Sequence, residues 1–496
     1  MHCVKNTVRS KRSSTRFRAL KHAILGAAAM LAGCAHPPAP KPAIPIAHRP
    51  VAPAWGEAAK RELRGVVARA LAPAIALSYD WSCAVIAQNG VLLYADRSTH
   101  AVTPASTQKL IVAAVVLARF DPAFRFHTRF ASAQPPSNGT IAGEFWLAGS
   151  GDPSLRSDDL RRGVQKIRAA GVRAIEGGVA VDASALAGPE LNPFWNPGDV
   201  NEDFMAPTSG VSVDEDTVEF RIAGTTAGQA ASVRVKPQSS AVSYYGSIAT
   251  GYADDVIVAA MGTPGVFRIS GTIPPGVRET FYLPVHDIPQ YAGAVLSGFL
   301  RETGITVAGT PRTGKVPRDA YTLWDHPSPA LTQLVHHMLI FSDNHFAEQF
   351  LRLLGAPRGR ADDAHGLAAE RVILKDERIP TPGLHLVDGS GLAEANRIAA
   401  ITLVRLLAHS DSDLRGNALY PVLARGGLDG TLKWYHFVQA SGRVRAKSGH
   451  LASVSALAGY VNTRHHGRVA FAFLFNGLRD QADRAVAAAI DRIAQR

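Results

Sequence analysis

From Ser106 to Leu117 the chain carries apolar side chains on nearly every face of a helix, with Lys109 the one charged residue inside the run. A helix with no polar face must lie at the centre of a protein, covered on all sides by other elements. The rest of the sequence therefore has to supply those covers, and its periodicity shows where they lie. Residues 54–72 repeat at helical spacing. Asn89-Gly90 then joins two alternating segments as a two-residue hairpin. Helical periodicity returns at Tyr291 to Thr303, Leu331 to Leu354 and Ile398 to Ala408. After it come three strand-like segments, Arg443 to Ser448, Ser453 to Val461 and Val469 to Phe475, and a closing helix from Gln481 to Ala494.

Pairing the early hairpin with the three late strands predicts an α/β protein of the α+β type, with a five-stranded, mainly antiparallel sheet flanked by helices from both chain ends. Its domain is split, 54–125 and 285–496. Between the halves, residues 126–284 show short alternating segments and frequent Gly and Pro turns, the pattern of a β-rich insertion. A length of 496 residues accommodates such a plan.

The N-terminus has a different character. A basic stretch from Lys5 to Lys21 precedes an apolar run from Ala23 to Ala32, too short to span a bilayer. Residues 1–33 thus read as a secretion signal. Leu31-Ala32-Gly33-Cys34 resembles the lipobox of bacterial lipoproteins, which implies a diacylated Cys34 as the first mature residue, and Ala35 implies the outer membrane, on its periplasmic side. Residues 34–53, rich in Pro, suit an extended tether. Removing the seven Lys and Arg of the leader lowers the net charge from +12 to +5. No basic run interleaved with aromatics follows, which argues against a nucleic-acid partner. With Cys3 and Cys34 accounted for, Cys83 is left with no disulfide partner, and its apolar surroundings suit a small buried side chain.

Three short motifs carry chemistry together. Ser106-Thr107-Gln108-Lys109 is the only Ser-x-x-Lys in the chain, and this spacing puts both side chains on one helix face. A serine hydroxyl becomes a nucleophile when a neighbouring base takes its proton, and a desolvated lysine can act as that base. Ser342-Asp343-Asn344 interrupts a helical stretch. Lys447-Ser448-Gly449 ends a strand near the sheet edge, where glycine admits a ligand close to the backbone. Singly, each has an ordinary reading as an N-cap, a helix break or a solvated strand end.

In this order the three resemble the active-site triplet of penicillin-binding proteins and serine β-lactamases. The 236 residues between Ser106 and Ser342 resemble the class C low-molecular-mass penicillin-binding proteins, D-alanyl-D-alanine carboxypeptidases and endopeptidases with a large insertion after the nucleophile helix. Gly151-Asp152-Pro153-Ser154-Leu155, Ala206-Pro207, Tyr291-Ala292-Gly293 and Asp388-Gly389-Ser390-Gly391-Leu392 match the same family. The resemblance implies two subdomains in the insertion and a structural role for the Asp-Gly-Ser-Gly loop at the cleft rim. It also implies peptidoglycan stem peptides as substrates, β-lactams as acylating inhibitors, Ser106 as nucleophile and Lys109 as base. Ser342 would relay the proton, Asn344 would hold the substrate amide, and Lys447, Ser448, Gly449 and His450 would receive its carboxylate. His450 departs from the family's Thr or Ser, and its imidazole is expected to alter carboxylate handling.

Neither His336-His337 nor His465-His466 resembles a metal chelate, and no cofactor is expected. Two other functions stay open: a β-lactamase or esterase on the same scaffold, and a catalytically weak envelope lipoprotein that binds peptidoglycan or a partner. The absence of a Gly-x-Ser-x-Gly elbow speaks against the esterase.

Overall fold

The computed structural model describes residues 54–496 apart from 206, 264 and 413–418, so the leader, the tether and Cys34 lie outside the described residues. Among the described residues, no helix is long and apolar enough to cross a membrane.

The first half of the split domain contributes α1 (Glu57–Ala76), β1 (Ser78–Ala87), β2 (Leu92–Asp96) and the buried helix α2 (Lys109–Arg119). Pro73 sits inside α1, which therefore runs past the end read from periodicity. Gly90, at φ +84, makes the hairpin turn that the Asn-Gly pair signals. The second half adds α3 (Leu331–Phe341), α4 (Asn344–Gly355), α5 (Asp363–Asp376), α6 (Ala400–Ser412), β3 (Ala424–Arg425), β4 (Val444–Leu451), β5 (Val454–Asn462), β6 (Arg468–Gly477) and α7 (Arg479–Ala494).

The sheet runs β2-β1-β6-β5-β4-β3, antiparallel throughout. It holds the five expected strands and one more. β3 is only two residues long, below what alternation in a sequence can reveal. Successive side chains go to opposite faces. Ala84 and Ile86 of β1, with Ala456, Ala458, Ala470 and Ala472, face α2 and the α3–α6 layer. Cys83 and Val85, with Leu457, Phe471 and Phe473, face α1 and α7. Cys83 is fully buried, and burial pushes its thiol well above the ordinary range. Eight of the eleven residues of α2 are buried, Lys109 among them.

None of the strands between 126 and 284 joins this sheet. They share one apolar cluster that extends from Phe130 to Trp324. The structure differs from the sequence reading at the far boundary. Helix Ile288–Glu302 packs on strand Val179–Asp182, and strand Tyr321–Pro327 pairs with His127–Ser132. The elements from 288 to 327 therefore belong physically with the insertion. Helical periodicity identifies an element without saying which sheet it covers.

Candidate active site

Ser106 lies on a single 3-10 turn, Ala105–Gln108, that leads into α2. Ala105 holds a left-handed φ of 47, an uncommon conformation for a residue with a side chain, and it turns the chain sharply before the serine. Ser106 is half-buried and Lys109 is fully buried. Lys109 Nζ is 3.0 Å from Ser106 Oγ, 2.7 Å from Asn344 Oδ1 and 2.6 Å from the carbonyl oxygen of Ser390. A neutral amine has two N–H donors and one lone pair. A neutral amine at this place could give its donors to the two carbonyl oxygens and its lone pair to the Ser106 hydroxyl. A lysine so placed is arranged to take the serine proton.

Ser342-Asp343-Asn344 breaks the helical run between α3 and α4, as the sequence indicates. Ser342 closes α3 at a left-handed φ of 59, and Asp343 caps α4 by accepting from the Phe346 N–H. Asn344, the first residue of α4, bonds Lys109 through Oδ1 and donates from Nδ2 to the Phe204 carbonyl of the insertion, 2.9 Å away. Behind this break Glu215, His337 and Asp343, all buried, bring one potential ligand atom each within 4.8 Å of one another. Arg156 is 2.7 Å from Glu215, and His337 is 3.6 Å from Asp343, so charges of both signs already meet there.

β4 carries Lys447, Ser448, Gly449 and His450 and packs against the turn that holds Ser106. Gly449 lets the two backbones close up. A Cβ there would lie 2.9 Å from both the Pro104 carbonyl and the Ser106 nitrogen, and 3.0 Å from the Thr107 nitrogen. Lys447 is fully buried and donates to the Ser448 carbonyl, while the Ser448 hydroxyl donates to Thr431 at 2.7 Å.

His450 has partners that the sequence did not indicate. Strand alternation sends Lys447 and Gly449 to one face and the imidazole to the other. There His450 Nε2 lies 3.0 and 3.2 Å from the two Asp483 oxygens of α7, and 3.3 Å from the Tyr435 hydroxyl. Burial would raise the Asp483 carboxyl. The hydrogen bond and charge of His450, joined by bonds from Ser455 and Tyr435, hold it below the ordinary range instead. The ring is thus engaged with Asp483.

Sequence reasoning placed the Asp388-Gly389-Ser390-Gly391 loop at the rim, but it reaches the centre. Asp388 accepts from Gln108 and Asn396, from the Trp195 indole of the insertion at 3.0 Å, and from the Gly391 and Ala393 N–H groups. Gly391, at φ +78, passes so near the nucleophile turn that a Cβ would lie 2.0 Å from the Ala105 carbonyl. Glu348 of α4 receives the Gly389 and Ser390 N–H groups. Burial, then the charges of Asp388 and Asp363, push its carboxyl up to about 8, against the opposing hydrogen bonds of the loop. Glu348, Asp388 and the Ser390 carbonyl were missed as site residues. The signal came only with the structure: every residue of this helix from His345 to Gly355 is buried, and a buried acid needs partners.

The chain is also similar to known proteins. A model of the D-Ala-D-Ala carboxypeptidase 3 (S13) family matches residues 67–496. The D-alanyl-D-alanine carboxypeptidase of Actinomadura sp. (strain R39) is 29% identical over 423 residues, covering 81% of this chain and 78% of that one. The D-alanyl-D-alanine carboxypeptidase DacB of Haemophilus influenzae is 24% identical over 411 residues, 79% of this chain and 84% of that one. The crystal structure of penicillin binding protein 4 (dacB) from Haemophilus influenzae superimposes with a TM-score of 0.74 at 21% identity, over 86% of this chain and 98% of that one.

Proposed function

The chain belongs to the D-Ala-D-Ala carboxypeptidase 3 (S13) family, and from that premise we propose that Ser106 is the residue it acylates and Lys109 the base that activates it. It is a serine-type D-alanyl-D-alanine carboxypeptidase of the penicillin-binding class. The observation that carries the residue assignment is the placing of Lys109 Nζ between two carbonyl acceptors and the Ser106 hydroxyl.

In the proposed reaction the Ser106 proton passes to Lys109 as Oγ attacks the carbonyl carbon between two D-alanines of a peptidoglycan stem. The Ser106 and His450 N–H groups hold the oxyanion, each such donor contributing ~3 kcal/mol to the transition state. The C–N bond breaks, and the proton returns by way of Ser342 to the leaving amine. Water then releases the acyl group. Asn344 holds the substrate amide, and Lys447, Ser448 and Gly449 receive the terminal carboxylate. Attack on a D-alanyl amide inside a cross-link, by the same steps, makes the enzyme an endopeptidase. A β-lactam enters the first step and remains as a slow acyl-enzyme. The resemblance of Leu31-Ala32-Gly33-Cys34 to a lipobox supports a site of action on the periplasmic side of the envelope, anchored through Cys34.

Fluorescent penicillin should label the purified protein, Ser106→Ala should take no label, and Lys109→Ala should be acylated at least ~100-fold more slowly. Label retained in a folded Ser106→Ala protein would end this reading. Rapid turnover of the adduct would favour a β-lactamase, and a folded wild type that takes no label would favour a binding protein.

A further inference from the structure

We propose that Glu348 is a positioning residue for catalysis, which through the Gly389-Ser390 backbone sets the direction in which Lys109 presents its lone pair to Ser106. The inference rests on the assignment of Ser106 and Lys109 above.

Lys109 has two carbonyl acceptors, and α4 governs both. Asn344 supplies Oδ1 directly, 2.7 Å from Nζ. One helical turn later, on the same face of α4, Glu348 holds the peptide that supplies the other. Glu348 Oε1 accepts from the Ser390 N–H at 2.8 Å, and the Gly389 N–H straddles the carboxyl group, 3.1 Å from Oε1 and 3.0 Å from Oε2. The carbonyl of that same Ser390 accepts from Lys109 at 2.6 Å. The two ends of one residue's backbone thus join Glu348 to the base. Two carbonyl oxygens held in fixed directions take two donors of a neutral amine and so turn its lone pair toward Ser106.

The loop has little freedom to compensate. At Gly389 a Cβ would lie 2.8 Å from the Ala347 carbonyl and 3.0 Å from Leu351 Cβ, both on α4. Glu348 is 2% exposed. The acids facing it are Asp388 on the loop, Asp363 and Glu370 on α5, with Arg371 beside Glu370. Glu370 is fully buried as well, but neither of its oxygens bonds the loop. It shares the acidic surroundings of Glu348 without the connection to Lys109, which makes it the control.

Burial pushes the Glu348 carboxyl up to about 8, so the comparison is made above that pH, where the ionised carboxylate accepts both N–H groups. There Glu348→Gln keeps the size and the bond to Ser390 but turns an amide N–H toward the Gly389 N–H, donor against donor. Stopped-flow acylation by penicillin separates the rate constant of the covalent step from the affinity of the complex that precedes it. The covalent step should fall ~10- to 100-fold, the cost of a small misplacement of a catalytic group. The preceding affinity should stay within about twofold. Glu370→Gln should match wild type in both. Should Glu348→Gln fail to fold, Gly389→Ala shifts the loop with Glu348 in place and should give the same split. Acylation of Glu348→Gln at the wild-type rate overturns the inference. So does an equal loss in Glu370→Gln, or a loss confined to affinity. Wild type that takes no label overturns the Ser106 assignment and this inference together, whereas labelled wild type with an unaffected Glu348→Gln overturns only the role of Glu348.

Discussion

Replacing Glu370 by Gln should make this protein more stable, and increasingly so as pH rises. Glu370 is fully buried on α5, and neither carboxyl oxygen has a hydrogen-bond partner among the described residues. Burial, then the charges of Glu348 and Asp388, raise it from an ordinary 4.5 to about 8, with Arg371 opposing. The folded chain therefore keeps a proton that the unfolded chain has released. For a carboxyl raised in this way, stability is greatest below the unfolded value and is lost as pH climbs from about 4.5 to about 8, above which the loss levels off. One retained proton corresponds to ~1.4 kcal/mol per pH unit. At pH 7 the wild type should have lost about 3 kcal/mol through Glu370, an upper figure because relaxation around a buried charge reduces it. Gln has nearly the same shape and no charge at any pH. The neutral acid and the amide are equally without partners, so their desolvation costs largely cancel. Urea unfolding of both proteins at pH 5, 6, 7 and 8 is the measurement. The stabilities should be close at pH 5 and diverge by about one proton's worth of slope. Parallel lines of stability against pH would refute the reasoning.

Three further outcomes follow from the surroundings of His450 and from the leader. Asp483 is held below its ordinary 3.8 by His450, Ser455 and Tyr435, so its contribution to stability is present above that value and disappears as pH falls through the depressed one. Asp483→Asn should accordingly melt below wild type at pH 7 and converge with it as pH falls through the depressed value. Because the imidazole is engaged with Asp483, the kcat/KM profiles of wild type and His450→Thr on a diacyl D-alanyl-D-alanine peptide should superimpose in shape from pH 5.5 to 8. A profile that changes shape would return the ring to the substrate carboxylate. Mass spectrometry of envelope fractions should find a diacylated Cys34 at the mature N-terminus; an intact, unmodified Cys34 would refute the anchor.

Much of this protein is written in local pattern. An all-apolar helix can only be central, an Asn-Gly pair between alternating segments can only be a tight turn, and Ser-Asp-Asn between two apolar helices is a break with its own cap. For that reason five strands of the sheet could be located from periodicity, whereas Ser106, Lys109, Ser342, Asn344 and Lys447 were singled out by the resemblance of their three motifs, taken together, to a known family. Periodicity is silent about which surface an element covers. Helix Ile288–Glu302 has the same pattern whether it packs on the main sheet or on strand Val179–Asp182, and long-range contact decided for the latter. Strand alternation could have told that His450 faces away from Gly449, but not that Asp483, 33 residues on, would be there to receive it. The same holds for Glu348. Its position one turn after Asn344 is a property of the helix, whereas its grip on the Ser390 backbone, 42 residues on, exists only once the loop is folded back across α4. Residue types and short-range geometry specify which groups can react; the orientation of a lone pair depends on hydrogen bonds between segments far apart in the chain, and only the tertiary fold closes those.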